Sequence, residues 1–179
     1  QSTQMPTYTI SNNVGVYDSI LYALNNKEIP YRVIHNDTKI DNILVDDNNN
    51  LLAVIDLDTL MPGSLLYDFA DLCRSSLLLD NNESYINLDT FKTVVEGFYN
   101  ATKNIITDNE INLLAISVYI ITYELSLRFL SDYLSGDIYF KSKYDGHNLD
   151  RAKKQITLCK AIYKNLNIMN NIVNDICNN

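Results

Sequence analysis

At 179 residues, with 46% hydrophobic and 20% charged residues, the chain has the size and composition of one globular domain able to bury a real core. Its formal net charge of −8 argues against a nucleic-acid partner, because a phosphate backbone is held by clustered Lys and Arg; the acidity suits a cationic small substrate, or solubility alone. Cys73, Cys159 and Cys177 stand far apart with no CxxC pair, which argues against a disulfide framework or a zinc site and fits reduced, mostly buried thiols in a cytoplasmic protein.

The chain opens at Gln1 without Met on a polar stretch of 13 residues, which reads as a boundary within a longer polypeptide and shows no basic-then-apolar signal segment. Val16, Ile20, Leu21 and Leu24 form a helical stripe over residues 14–26, ended by Pro30. Residues 31–34 are a short β-prone run. Two further apolar β-prone runs, 43–45 and 51–55, flank the Asx-rich segment 46–50 and predict a hairpin with a longer loop. Met61-Pro62-Gly63 reads as a loop. Beyond Tyr67 the apolar spacings of three and four predict helices near 68–79, 89–104, 109–135 and 148–175. Asp108 and Asn148 are candidate N-caps, and Gly136 stands where the third of these helices should stop. The longest apolar run, near Leu113 to Ile121, is broken by Ser117 and flanked by charges, so no membrane span is expected. The expected fold is mainly α (α+β): one helical domain over residues 1–179, with a small β-hairpin at its edge bounded by polar loops.

Those loops hold the chemistry. His35-x-Asp37 is followed by Asn42, five positions after Asp37, and the second hairpin run leads into Asp56. Phosphoryl transfer needs a carboxylate to orient the acceptor hydroxyl and take its proton, and oxygen ligands to hold Mg²⁺ against the β- and γ-phosphates. Hairpin pairing would return Asp56 to Asn42, so that these two converge on one metal while Asp37 faces the acceptor. Singly, each residue reads better as a turn Asx; together, with one apolar run directly after Asn42 and another directly before Asp56, they point to catalysis. His35 is expected to pack under the loop and bond backbone. Lys39 is a candidate phosphate contact or a solvated loop lysine. Asp58 is a further metal or hydroxyl partner, or a loop cap.

The stretch HNDTKIDN…VIDLDTLMPGSLLYDFADLCR resembles the aminoglycoside phosphotransferase and choline kinase superfamily, whose fold is protein-kinase-like. Within it the HNDTK-x-x-N block, the IDLDT-x-MPG-x-x-x-YDF-x-D block and the later RFLSDYLSGDIYFKSKYDGHNLDRAKKQ are similar to N-acetylhexosamine 1-kinases, covering about residues 30–165. The resemblance implies transfer of the ATP γ-phosphate to the anomeric hydroxyl of N-acetylglucosamine or N-acetylgalactosamine. It implies Asp37 as catalytic base, Asn42 and Asp56 as magnesium ligands, and Asp68 as a structural support of the loop after the metal ligand Asp56. Arg74, Arg128 and Tyr139 become candidates near the sugar, with Phe140 beside them; helix-to-helix ion pairs and core aromatics account for them as well. Only 34 residues precede His35, with no Gly-rich phosphate loop and no strand lysine, so the chain is expected to be the C-terminal catalytic lobe, with an N-terminal nucleotide-binding lobe missing. Asp56 is followed by Leu57-Asp58 rather than Phe-Gly, which argues against a protein kinase. An aminoglycoside or choline kinase, and a truncated non-catalytic lobe, are the alternatives.

Overall fold

The computed structural model describes residues 15–77 and 86–178. The opening polar stretch, and positions 78–79 of the predicted 68–79 helix, lie outside these residues. A 3₁₀ turn over Val16–Asp18 leads into helix α1, Ser19–Asn25, whose Ile20, Ala23 and Leu24 are buried. Strand β1, Arg32–Ile34, follows. Strands β2, Ile43–Val45, and β3, Leu51–Val54, form the expected antiparallel hairpin, with an irregularity between Leu44 and Val45. The hairpin loop closes on Asp46, whose carboxylate accepts from Asn48 N (2.9 Å) and Asn50 N (2.8 Å) as an Asx turn does.

Met61-Pro62-Gly63 is not a loop. It is strand β4, antiparallel to β1, with Val33 opposite Pro62 and Arg32 opposite Gly63. Pro is tolerated because a two-stranded ribbon consists of edges. Gly63 is required for space: a Cβ there would stand 2.5 Å from Ile34 Cδ1. The domain therefore holds two small sheets, β1–β4 and β2–β3.

The helices are α2, Leu65–Leu77; α3, Leu88–Thr102; α4, Asp108–Leu134; and α5, His147–Cys177. Asp108 is the first residue of α4 rather than its cap. Thr107 caps it in a reciprocal box: Thr107 N donates to Glu110 (2.8 Å) and Glu110 N to Thr107 Oγ1 (3.3 Å). Nor is Asn148 a cap, since α5 starts after Gly146 (φ 80°), and Asn148 is buried, donating to Asp132 (3.0 Å) and Asp137 (2.8 Å). Gly136 ends α4 as expected, in a left-handed conformation (φ 94°).

The long helices α4 and α5 pack along each other, with α2 and α3 against them. Phe69, Phe91, Leu114, Val118, Ile162 and Met169 are fully buried where these helices meet; each such side chain contributes about 1.5–3 kcal/mol. Helix α4 is long and apolar enough to cross a membrane by length and composition, further than the broken run 113–121 suggested, but Leu114, Ala115 and Val118 are spent on the core. All three cysteines are buried free thiols. The β1–β4 sheet is tied to α4 by Arg32, whose guanidinium meets the fully buried Glu110 at 2.9 Å and also donates to the Ile105 carbonyl.

Candidate active site

Residues 35–42 form a loop from β1 to β2, laid along one face of α2. Asp68, in the first turn of that helix, accepts from His35 N (2.8 Å) and Asn36 N (2.7 Å), and its own carbonyl accepts from Thr38 Oγ1 (2.5 Å). Burial pushes the Asp68 carboxyl above its ordinary range, and the two amide donors work against that rise. Asp68 is thus a structural support, of the loop at residues 35–38 rather than of the loop after Asp56 that the resemblance implies. His35 is buried and bonds the Ile55 carbonyl through Nε2 (3.0 Å), which agrees with a packing role rather than a base. Thr59 Oγ1 donates to the His35 carbonyl (2.7 Å), locking the loop after β3 to the one after β1.

Asp37 stands at the middle of this loop. Its Oδ2 accepts from Lys39 Nζ at 2.6 Å and from Asn42 Nδ2 at 3.0 Å. Partial burial raises the carboxyl's pKa, but the hydrogen bonds from Lys39 and Asn42 and the lysine's charge outweigh it, so Asp37 sits below the ordinary carboxylate range and is ionised near neutrality. Lys39 is shifted the other way: desolvation lowers it, yet Asp37, Asp56 and Asp71 together hold it up. Oδ2 is thus committed to these two donors.

Asn42 closes a 3₁₀ turn, Ile40–Asn42, and is buried; Ile55 N donates to its carbonyl (3.0 Å), so the hairpin returns beside it as expected. Asp56 lies two residues past β3, in a left-handed conformation (φ 65°), rather than ending the strand. Asn36, at the other end of the site, is left-handed as well (φ 64°). Asx residues tolerate this backbone better than others, and such conformations concentrate where geometry is functional. Lys39 Nζ reaches Asp56 Oδ2 at 3.9 Å and so spans Asp37 and Asp56. The Asp58 carboxyl beside Asp56, with some desolvation, pushes the Asp56 pKa up.

The donor set suits magnesium. Asn42 spends its amide N–H groups on Asp37, so its side-chain oxygen is the atom that would serve as a neutral ligand, and Asp56 is a half-exposed carboxylate crowded by Asp58. Among the described residues no group of three or more His, Cys, Asp or Glu side chains could hold a metal alone. Magnesium in phosphoryl-transfer sites is typically bound by one or two protein oxygens, with waters and phosphates filling the rest.

The remaining candidates divide. Arg74 is on α2, buried, and paired with Asp71 one turn earlier on the same helix (2.5 Å). Arg128, on α4, stacks over Tyr139 (6.0 Å) and Phe140 (5.4 Å). The loop carrying these rings is clamped by Asp132, which accepts from Tyr139 N (2.7 Å) and Phe140 N (2.9 Å) and leaves the Tyr139 ring exposed. Among the described residues no hydrogen bond or ion pair joins this group to Asp37, Asn42 or Asp56. Sequence reasoning passed over Thr59, Asp71, Ser75 and Asp132. A signal existed for part of this set: Asp71 and Ser75 follow Asp68 at i+3 and i+7, a polar stripe on a helix otherwise facing the core.

Residues 16–86 match the model of a family described as the phosphotransferase enzyme family. The matched segment spans the 35–42 loop, both sheets and α2, and so includes Asp37, Asn42, Asp56 and Asp68. It supports a relationship to the aminoglycoside phosphotransferase, kinase-like superfamily, and a mostly helical domain with small antiparallel sheets is compatible with that fold.

Proposed function

We propose that this chain carries the catalytic residues of an ATP-dependent phosphotransferase acting on a small-molecule hydroxyl, with the anomeric hydroxyl of an N-acetylhexosamine as the acceptor. The observation that carries the reaction class is the Asp37 carboxylate, held ionised by Lys39 and Asn42 with Asp56 across the hairpin. Asp37 accepts the acceptor's proton as the oxygen attacks the γ-phosphorus. Asn42 and Asp56 would hold magnesium, which supplies charge neutralisation at the phosphates. Lys39 keeps the base charged and stands within reach of transferring oxygens. The acceptor class rests on the wording of the IDLDTLMPG and YDFAD blocks, and Arg128 with Tyr139 is the pair we propose for the sugar; Arg74 is already paired with Asp71. An aminoglycoside acceptor is favoured instead by the family description matched and by the chain's acidity.

A nucleotide-binding lobe covering the hairpin belongs to the same proposal. Leu51 and Leu52 are 66% and 65% exposed, and Leu44, Val45, Val54, Leu57 and Leu60 are exposed with them. An apolar patch of this kind marks an interaction surface. Three reduced thiols and a requirement for ATP suit a cytoplasmic location.

The test is ADP release by the full natural polypeptide with Mg²⁺-ATP and N-acetylglucosamine, N-acetylgalactosamine, choline or kanamycin. Turnover on the N-acetylhexosamines alone supports the sugar-kinase reading. Turnover on choline or kanamycin moves the chain to that class, and no turnover on any of the four overturns the proposed acceptors.

A further inference from the structure

The turn that delivers Asn42 is fastened to α2 at one point. Ile40 N, which opens the 3₁₀ turn, donates to Ser75 Oγ at 3.1 Å, and Ser75 Oγ donates in turn to the Leu72 carbonyl at 2.9 Å. Ser75 is buried, so no bulk water stands ready to replace it. Its neighbour Ser76 is also buried and donates to the same Leu72 carbonyl (2.8 Å), but no hydrogen bond links it to the loop. A serine bonding back to its own helix is common and needs no function. What sets Ser75 apart is the lone pair it offers across to the loop, two residues before Asn42.

The contacts along α2 form a ruler. Asp68 holds His35 N and Asn36 N, its carbonyl holds Thr38, and Ser75, seven residues on along the same face, holds Ile40. Asp37 lies between the first two anchor points, and Asn42 lies beyond the last. Asp37 is therefore tied at both sides. Asn42 is held within the loop by its N–H to the Lys39 carbonyl (2.9 Å) and by its side chain on Asp37, from the hairpin by Ile55 N, and from α2 through the Ile40–Ser75 bond. We propose that Ser75 is a positioning residue for the Asn42 metal ligand, acting through the Ile40 amide and not touching substrate. The proposal rests on the phosphotransferase reading for its functional consequence, though not for its geometry. Partners that orient a ligand of the metal rather than binding it are commonly worth about 10–100-fold in metal affinity.

The experiment compares Ser75→Ala, Ser76→Ala and Ser75→Thr in the full natural chain. Hydrogen exchange at the Ile40 amide, measured without metal or nucleotide, reads the geometry alone. Ser75→Ala is expected to speed it at least about tenfold, with Ser76→Ala leaving it unchanged. Titration of Mn²⁺ by its electron paramagnetic resonance signal, with a non-hydrolysable ATP analogue present, reads the consequence. Ser75→Ala is expected to weaken Mn²⁺ binding about tenfold or more, Ser76→Ala not at all, and Ser75→Thr to restore most of it by keeping the hydroxyl. Equal effects of Ser75→Ala and Ser76→Ala on both readouts would reduce Ser75 to helix packing and overturn the proposal. Faster exchange with unchanged Mn²⁺ affinity would overturn the positioning role as well. Absence of Mn²⁺-nucleotide binding in the unaltered chain counts against the phosphotransferase reading instead, and the exchange result stands apart from it.

Discussion

Asn42 Nδ2 donates both to the backbone carbonyl of Asp37 (2.8 Å) and to its carboxylate (3.0 Å), which makes the proposed base and one proposed metal ligand a single hydrogen-bonded unit. The amide can serve both acceptors only with its nitrogen toward Asp37, which reserves its oxygen for the proposed ligand role. A change at either residue is therefore felt by both, and their effects on catalysis should be less than additive.

Asp37→Asn keeps the side chain's shape and removes its basicity. In the full natural chain kcat is expected to fall about 10²–10⁴-fold or more, with a much smaller change in the nucleotide KM. Near-normal turnover in steady-state assays would remove Asp37 from the role of base.

Asp37 owes its lowered pKa, against the opposing pull of burial, to Lys39 and Asn42. Its folded pKa lies below the unfolded one, so its ionisation adds stability above the unfolded value, lost as pH falls through the folded one. Activity that needs the ionised base should fail only on the acid side of the ordinary carboxylate range. Lys39→Met removes the nearest cation, and the acid limb of a kcat/KM–pH profile is expected to move to higher pH. An acid limb that stays in place would show that Lys39 does not set the charge of Asp37.

Asp56→Ala takes away the one carboxylate of the proposed ligand pair. Mg²⁺-dependent ATP use is expected to be abolished, and raising Mg²⁺ should not restore it. An unchanged Mg²⁺ titration of the reaction would contradict the assignment of Asp56.

Glu110 is fully buried and accepts from Arg32 through both oxygens, at 3.3 and 2.9 Å, while also closing the cap of α4. Arg32→Met leaves that charge without its cation. A loss of about 3–5 kcal/mol is expected from urea or guanidinium unfolding, since removing one member of a buried pair strands the other. A loss within ~0.5 kcal/mol would show the pair to be dispensable.

Much of the site is legible from spacing because its defining contacts are short in sequence. The hairpin pairs β2 and β3 through a five-residue Asx-rich loop, and that pairing alone brings residues 42 and 55 together. The long helices are legible for the same reason, since a stripe of period 3.6 declares itself locally; the first-turn details, Thr107 in place of Asp108 and Gly146 in place of Asn148, are less so, because several Asx and hydroxyl residues compete for each cap. Arg74 shows the limit of composition: an arginine near a candidate site suits a ligand, and only its burial against Asp71 reveals a side chain already paired.

The amino-acid sequence by itself determined the order of helices and hairpin and the return of the hairpin beside Asn42, because periodicity and short-range pairing are properties of neighbouring residues. The tertiary structure alone decided that Met61–Gly63 is a strand against β1, that Arg32 meets Glu110, and that Asp68 and Ser75 hold the loop at residues 35, 36 and 40. These partners lie about 30 to 80 positions apart in the chain, and loop-closure entropy leaves such pairings to the packing of the whole core. Gly63 joins the two levels: as a letter it reads as a turn, and as a packed residue it is the space that the Ile34 side chain occupies.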